Sequence, residues 1–242
     1  MGRTVRVVVA TPGAAAPGPW PSVTLLHGHG GDAANWARRL GPGGLEALAA
    51  RFGTLIACPD GGADSWYLDS PRDASVRMET FLAAELPAAL AARYPLRTGR
   101  ASRAITGLSM GGHGALFVAM RHRGVYGAAA SMSGGVDLGQ FPERWGKARH
   151  LGPWPADSTV WQAHSVLRLA ATADTAAMPR LMVDVGVGDF FLAPNRALHE
   201  TLTRRGIAHD YAERPGGHTW AYWTRALPMH LAFFREGFDA RP

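Results

Sequence analysis

Short apolar segments alternate with longer segments of helical periodicity along the whole chain, and this alternation limits the possible folds most strongly. Most of the short segments are apolar almost without interruption, as strands buried on both faces are. The alternation predicts an α/β fold, with a mostly parallel sheet flanked by helices. The predicted strands are Thr4–Ala10, Val23–His27, Thr54–Pro59, Arg103–Leu108, Gly127–Met132, Arg180–Val185 and Ile207–Glu213. The predicted helices are Leu45–Arg51, Arg77–Arg93, Gly111–Arg123, Asn195–Arg205 and Thr219–Phe234.

One domain accounts for the chain. Its 242 residues are within the usual size of a single α/β domain, and no internal repeat or interdomain linker interrupts the pattern. We therefore predict one domain over residues 1–242. The single cysteine, Cys58, excludes an intrachain disulfide framework and a multi-cysteine zinc site. A proline, Pro87, lies inside the second predicted helix and should kink or split it.

The segment from Ser133 to Pro179 breaks the alternation, because it contains no clear strand. Long irregular segments in compact domains are more often functional than idle. We interpret this one as an insertion over the active site, with Trp145, Trp154 and Trp161 as candidate residues of a substrate pocket wall. The alternative is an ordinary surface segment whose three tryptophans pack beneath it as a small core.

The strongest chemical signal is the sequence Gly107-Leu108-Ser109-Met110-Gly111. It follows a predicted strand and opens an apolar helix, which is the context of a G-x-S-x-G nucleophile elbow. Glycines on both sides allow two backbones to pass closely, and the helix N-terminus directs N–H groups toward negative charge that forms near the serine. Ser109 is therefore the predicted nucleophile.

A serine nucleophile needs a histidine base, which in this kind of elbow follows the serine and an acidic residue in chain order. We predict His218 as the base, because Pro215-Gly216-Gly217 precedes it in a loop between the last strand and the last helix. Such a loop lies at the carboxyl edge of the sheet, where ligands bind in these folds. His150 and His164, both inside the irregular segment, are weaker candidates.

Two aspartates five residues apart compete for the role of the acid. Asp184 lies within a predicted strand, whereas Asp189 lies in the glycine-containing turn after that strand, from which a side chain can reach a histidine. We predict Asp189 as the acid and a structural role for Asp184.

Acyl transfer also requires donors for the oxyanion. The turn Gly28-His29-Gly30-Gly31 follows the second strand and exposes backbone N–H groups beside the elbow. We predict the backbone N–H groups of His29 and Met110 as the oxyanion hole. No G-x-G-x-x-G followed by a helix is present here, and the sequence implies neither a metal nor an organic cofactor.

These segments resemble the putative-esterase family of α/β-hydrolases. The resemblance extends from Thr4 to Phe234 and is strongest at the elbow and at the segment that begins with His218. The family includes S-formylglutathione hydrolases (esterase D), tributyrin-type carboxylesterases, feruloyl and acetylxylan esterases, and mycolyltransferases. It implies the α/β-hydrolase fold and an acyl-enzyme on Ser109, with Asp189 and His218 completing the triad. Asp60–Asp69 resembles a loop along the family's substrate cleft.

The resemblance does not identify a single class of substrate. S-formylglutathione hydrolases usually carry histidine before the nucleophile and cysteine just after the oxyanion turn, whereas this chain has Leu108 and Gly30-Gly31-Asp32 at those places. We therefore expect a carboxylic ester hydrolase that acts on acetyl, butyryl or aromatic acyl esters of a sugar or an alcohol. Acyl transfer of the mycolyltransferase type, S-formylglutathione hydrolysis, and a non-catalytic binding protein on the same scaffold are the alternatives.

The net charge of +6 does not point to nucleic acid. It comes from 24 arginines and one lysine that are scattered along the chain without a run of like charges. No apolar stretch is long enough for a membrane span. The sequence favours a cytoplasmic location, with secretion as the alternative if a signal peptide has been removed, and it leaves the oligomeric state open.

Overall fold

A computed structural model of the chain describes residues 2–14 and 16–239. A seven-stranded sheet forms its centre, with the strand order β1-β3-β2-β4-β5-β6-β7. The strands are β1 (Val7–Ala10), β2 (Ser22–Leu26), β3 (Leu55–Pro59), β4 (Arg103–Leu108), β5 (Ala128–Met132), β6 (Arg180–Gly186) and β7 (His209–Arg214). The helices are α1 (Asn35–Leu40), α2 (Gly44–Phe52), α3 (Met78–Thr80), α4 (Leu86–Arg93), α5 (Met110–Arg121), α6 (Lys147–Leu151), α7 (Ser158–His164), α8 (Val166–Thr172), α9 (Leu192–Arg204) and α10 (Trp220–Asp239).

The sheet is parallel from β2 to β7, and only β1 pairs in the antiparallel direction, with β3. The prediction of a mostly parallel sheet from seven strands is confirmed. Because parallel strands end on the same side, the loops after β2, β4, β6 and β7 meet at one edge. These loops contain four of the five residues that the sequence predicts for the catalytic centre and the oxyanion hole, and the fifth, Met110, begins α5 directly after the loop that follows β4.

Helices cover both faces of the sheet and bury two apolar layers. One layer includes Trp36, Leu45 and Phe234, from α1, α2 and α10. The opposite layer includes Phe117 and Leu198, from α5 and α9. Strands such as β2 and β3 are buried along their whole length, which explains their uninterrupted apolar sequences.

Pro87 perturbs its helix without splitting it. Between α3 and α4 the chain forms a π-helical turn, Phe81–Glu85, which ends two residues before Pro87. Because proline lacks an N–H group, the normal α-helical hydrogen bond cannot continue through this position, and the wider turn accommodates the interruption.

Residues 133–179 contain no strand, as predicted, but they are more regular than the sequence suggests. They include the three short helices α6, α7 and α8. Helices of five to seven residues are too short to establish an amphipathic period, and the same reason explains why α1 was not predicted. Within the described residues, no helix combines the length and the apolar character that crossing a membrane requires.

Candidate active site

Ser109 lies on a strained turn between β4 and α5. Its backbone angles are φ 55° and ψ −115°, an unfavourable conformation for a residue with a side chain. Two flanking glycines make the turn possible. A Cβ atom at Gly107 would lie 2.6 Å from the carbonyl carbon of Gly111, and one at Gly111 would lie 2.5 Å from the carbonyl oxygen of His27. The turn therefore has the geometry of a nucleophile elbow.

Close glycine contacts also bring the His218 loop to the turn after β6. The N–H of Gly188 donates to the carbonyl oxygen of Gly216 at 2.8 Å. A Cβ atom at Gly186 would lie 2.5 Å from the same oxygen. Side chains at these positions would push the two loops apart, so the glycines set the separation between His218 and Asp189.

The three residues predicted for catalysis form one continuous chain of contacts. The Nε2 atom of His218 lies 2.9 Å from the Oγ atom of Ser109. On the other side of the imidazole, Nδ1 lies 3.0 Å from Oδ2 and 3.1 Å from Oδ1 of Asp189. The Asp189 side chain is 0% exposed and the His218 side chain 15%. An acceptor carboxylate at Nδ1 favours the tautomer in which Nε2 is free to accept the serine proton.

A backbone donor fixes the Asp189 carboxylate in turn. The N–H of Phe191 donates to Oδ1 of Asp189 at 2.8 Å. This bond stabilises the ionised carboxylate and its orientation toward His218. A carboxylate held by both a main-chain donor and an imidazole can stabilise an imidazolium that forms during proton transfer.

Three aromatic rings surround the imidazole of His218, and none of them was predicted from the sequence to have a role in the site. The centroid of the Phe190 ring lies 4.3 Å from that of His218. Trp223 approaches at 4.9 Å in a perpendicular arrangement, and Phe191 at 5.4 Å. Phe190 is 45% exposed, so this ring lies against His218 and also faces the solvent. Because Phe190 directly follows Asp189 in the sequence, its place near the site could have been predicted.

The predicted oxyanion turn lies against the elbow. A Cβ atom at Gly28 would lie 2.5 Å from Cδ1 of Leu108 and 3.5 Å from Cβ of Ser109, so the residue that precedes His29 directly adjoins Ser109. Met110 is the first residue of α5, where N–H groups lack an acceptor within the helix. In residues 2–14 and 16–239, neither the His29 N–H nor the Met110 N–H has an acceptor from the protein.

His27 joins the oxyanion turn to the loop after β3. Its Nε2 atom accepts a hydrogen bond of 2.9 Å from the N–H of Gly61, and its Nδ1 atom lies 2.8 Å from the carbonyl oxygen of Gly28. Burial lowers the pKa of His27, which keeps the ring neutral with its proton on Nδ1. The ring therefore fixes the backbone of both loops at the edge of the site.

Asp184 is completely buried beneath the triad and does not reach His218 through any contact that the structure shows. Arg214 and the hydroxyl group of Tyr222 both donate to its carboxylate. His230 adds an imidazole nitrogen at 3.5 Å, and burial lowers its pKa to about 3. This polar cluster joins the ends of β6 and β7 to α10, the elements that flank the His218 loop.

The three tryptophans of the irregular segment occupy different surroundings. Trp145 stacks on Phe190 at 5.8 Å and contacts Phe191 at 5.5 Å, and both of these rings lie against His218. Trp161 is 0% exposed and belongs to the core, as in the alternative interpretation. Trp154 is 39% exposed and packs on Trp161 at 5.5 Å.

The two weaker histidine candidates take part in other contacts. His150 is buried, with its Nε2 atom 3.4 Å from Oδ1 of Asp64. The Nδ1 atom of His164 lies 2.8 Å from the carbonyl oxygen of Val160, within its own helix. The structure therefore places His218 alone of these three against Ser109.

Comparison with known proteins identifies the family. The family model described as "Putative esterase" matches residues 1–234. The chain belongs to this family.

Esterase Rv1288 of Mycobacterium tuberculosis is 29% identical to this chain over 228 residues, which cover 83% of this chain and 49% of that protein. This chain therefore spans about half the length of the mycobacterial esterases that it matches. The acetyl esterase of Caldicellulosiruptor saccharolyticus is 25% identical over 216 residues, 84% of this chain and 79% of that protein.

Solved structures confirm the α/β-hydrolase fold. A ferulic acid esterase superimposes with a TM-score of 0.79 and 25% sequence identity, covering 97% of this chain and 99% of that chain. The fluorophosphonate-binding serine hydrolase FphF of Staphylococcus aureus superimposes with a TM-score of 0.83 and 21% identity, covering 95% and 91%. Both the predicted fold and the predicted esterase family are thus confirmed.

Proposed function

We propose that this chain is a carboxylesterase that hydrolyses small acyl esters through an acyl-enzyme on Ser109. The observation that carries the proposal is the contact series from Ser109 Oγ through the His218 imidazole to the buried Asp189 carboxylate, with separations of 2.9 and 3.0 Å. It supplies a nucleophile, a base and an orienting acid in one geometry. The names of the acetyl esterase and ferulic acid esterase relatives agree with this class of substrate.

In the proposed reaction, Ser109 Oγ attacks the ester carbonyl carbon while His218 Nε2 accepts the serine proton. Collapse of the tetrahedral intermediate breaks the bond to the alcohol oxygen, and His218 returns the proton to the leaving alcohol. A water molecule then attacks the acyl-enzyme while His218 accepts its proton, and collapse of the second tetrahedral intermediate breaks the acyl bond to Ser109 Oγ, which takes the proton back from His218 as the carboxylic acid leaves. Asp189 stabilises the imidazolium, and the N–H groups of His29 and Met110 bind the oxyanion.

The aromatic group beside His218 supports an apolar acyl or aryl site. We define this group as Phe141, Trp145, Phe190 and Phe191, whose ring centroids lie 4.7 to 6.2 Å apart. Ligand sites are mostly apolar, with a few polar groups that fix orientation. In this proposal the chain acts as one domain, and residues 133–179 contribute Trp145 to the pocket wall.

A panel of 4-nitrophenyl esters from acetate to palmitate, with methyl ferulate and acetylated xylan, tests the activity. Because an acyl-enzyme releases the alcohol before it is hydrolysed, we expect a burst of nitrophenol stoichiometric with enzyme on those esters whose deacylation is slower than acylation. Product analysis with an added sugar or alcohol acceptor separates hydrolysis from acyl transfer. If no ester in the panel is turned over and no burst is seen, the proposal is wrong.

Replacing Trp145 by alanine should change substrate preference. The loss of one pocket contact is worth about 1–3 kcal/mol, so we expect the ratio of kcat/KM between butyryl and bulky aromatic acyl esters to change about tenfold or more. The measurement is the ester panel applied to both proteins.

Trp161→Ala is the matched control for Trp145→Ala. Because Trp161 is fully buried, its loss should cost about 3–5 kcal/mol of stability, measured by denaturant unfolding, and leave the ratio of kcat/KM between butyryl and bulky aromatic acyl esters unchanged. An unaltered substrate profile in the Trp145 variant would remove that residue from the pocket.

His29→Ala should leave kcat within a few-fold of the parent, because the proposed donor is the main-chain N–H, which alanine retains. His29→Pro removes that N–H and should lower kcat by about 10²–10³-fold, the usual cost of losing one oxyanion donor. Steady-state kinetics of both variants, with circular dichroism to check the fold, provide the measurement. A severe loss in the alanine variant would instead give the imidazole itself a catalytic role.

A further inference from the structure

A cavity separate from the proposed catalytic residues has Asp137 and Gly139 in its lining. It encloses about 550 Å³ between α9, α8 and the chain before α8, and none of the three proposed catalytic residues lines it. Its volume is within the range of small-molecule sites. The lining residues on which the argument rests are Asp137, Trp154, Gln162, Arg168, Glu200 and Arg204.

An uncovered indole forms one wall of this cavity. Trp154 is 39% exposed, although large aromatic side chains are usually well covered. Its ring packs against buried Trp161, at 5.5 Å and 65°, which fixes its orientation. A Cβ atom at Gly139 would lie 3.3 Å from the Trp154 ring, so glycine leaves room there. The result is a fixed apolar surface open to a ligand.

The charged groups that line the cavity carry no net charge. Arg168 and Arg204 contribute two positive charges, and Asp137 and Glu200 contribute two negative charges. A phosphate or carboxylate ligand needs an excess of positive charge, and a lipid chain needs a continuous apolar lining, so neither fits this composition. Guanidinium, carboxylate and amide groups are planar and present paired donors or acceptors. Such pairs match the adjacent hydroxyl groups of a sugar, whose C–H face can pack on the indole.

The cavity is close to the proposed active site along the chain. Gly139 lines the cavity, and Phe141, two residues later, packs on Phe190 at 6.1 Å. Two residues span at most about 7 Å. Phe190 in turn lies against His218. The segment 137–141 therefore connects the cavity lining to the aromatic group beside His218.

We propose that this cavity is a binding site for an uncharged saccharide. Trp154 packs on the sugar ring, and Arg168, Glu200, Arg204, Asp137 and Gln162 bind its hydroxyl groups. The binding itself is independent of catalysis. That the bound saccharide carries the ester which Ser109 attacks rests on the proposed function.

Titration of the Ser109→Ala variant with xylotriose, cellotriose and maltotriose tests the binding without turnover. Tryptophan fluorescence and saturation-transfer NMR are the readouts. We expect at least one sugar to bind saturably in the millimolar range or more tightly. Adding Trp154→Ala should weaken that binding about tenfold or more, and Trp154→Phe, which keeps an aromatic face, should weaken it less. Arg204→Ala should also weaken it, whereas the adjacent control Arg205→Ala should not, because Arg205 bonds to Ala173 outside the cavity.

Two results would overturn the proposal. One is that none of the three sugars binds saturably in the millimolar range. The other is that Trp154→Ala and Arg204→Ala, both folded by circular dichroism, bind as tightly as the parent. Ester turnover by the unmodified chain is measured separately, so a failure of saccharide binding and a failure of the proposed function give different results.

Discussion

Replacing Ser109 by alanine is expected to lower kcat for 4-nitrophenyl esters on the order of 10⁶-fold, the size of the loss when another serine hydrolase lost its nucleophile. The substitution removes the Ser109 Oγ atom, which lies 2.9 Å from His218 Nε2, and no acyl-enzyme can form. The fold should survive, because alanine fits where serine does and leaves the main-chain bond from the Ser109 N–H to Met132 in place.

Covalent labelling gives an independent measurement of the same prediction. A serine-directed fluorophosphonate should add its mass to the parent at Ser109 alone and leave the alanine variant unlabelled. Ser75→Ala is a suitable control, since Ser75 is exposed and bonds only to Asp73 in the contacts that the structure shows. Turnover by Ser109→Ala close to that of the parent, or labelling at another serine, would contradict the assignment.

The parts of the site that were predicted from the sequence depend on local backbone geometry. The elbow needs glycine at 107 and 111, because a side chain at either position would meet backbone within 3 Å. The same holds for Gly186, which lets the His218 loop approach the acid turn. Steric requirements of this kind place glycines at a fixed spacing. That spacing can be recognised in the sequence without knowledge of the rest of the fold.

The surroundings of the imidazole were not predictable in the same way. Phe190, Trp223 and Trp145 come from a turn, a helix and the irregular segment, and only the folded chain brings them together. The three tryptophans of residues 133–179 also could not be distinguished from the sequence. Nothing local distinguishes buried Trp161 from uncovered Trp154, because burial depends on which distant elements pack against each ring.

Asp189→Asn should lower kcat by about 10⁴-fold, the effect of the analogous change in a serine protease. Asparagine retains an oxygen for the Phe191 N–H, so the turn should keep its shape. Its amide nitrogen, however, faces His218 Nδ1 as a donor and favours the tautomer with the proton on Nε2. In that tautomer the ring cannot accept the proton of Ser109. The measurement is kcat on 4-nitrophenyl acetate, with unfolding curves as the check on stability.

Asp184→Asn is the matched comparison, because this aspartate lies five residues earlier and is also buried. Its carboxylate accepts from Arg214 and Tyr222, and neutralising it leaves the guanidinium of Arg214 without its counter-charge. We expect a loss of about 1–3 kcal/mol in the free energy of unfolding. The effect on kcat should be small by comparison, because the side chain makes no contact with His218 that the structure shows. If Asp184→Asn proved the catalytically severe change and Asp189→Asn the mild one, the acid would be Asp184, and the His218 loop would have to adopt another position during the reaction.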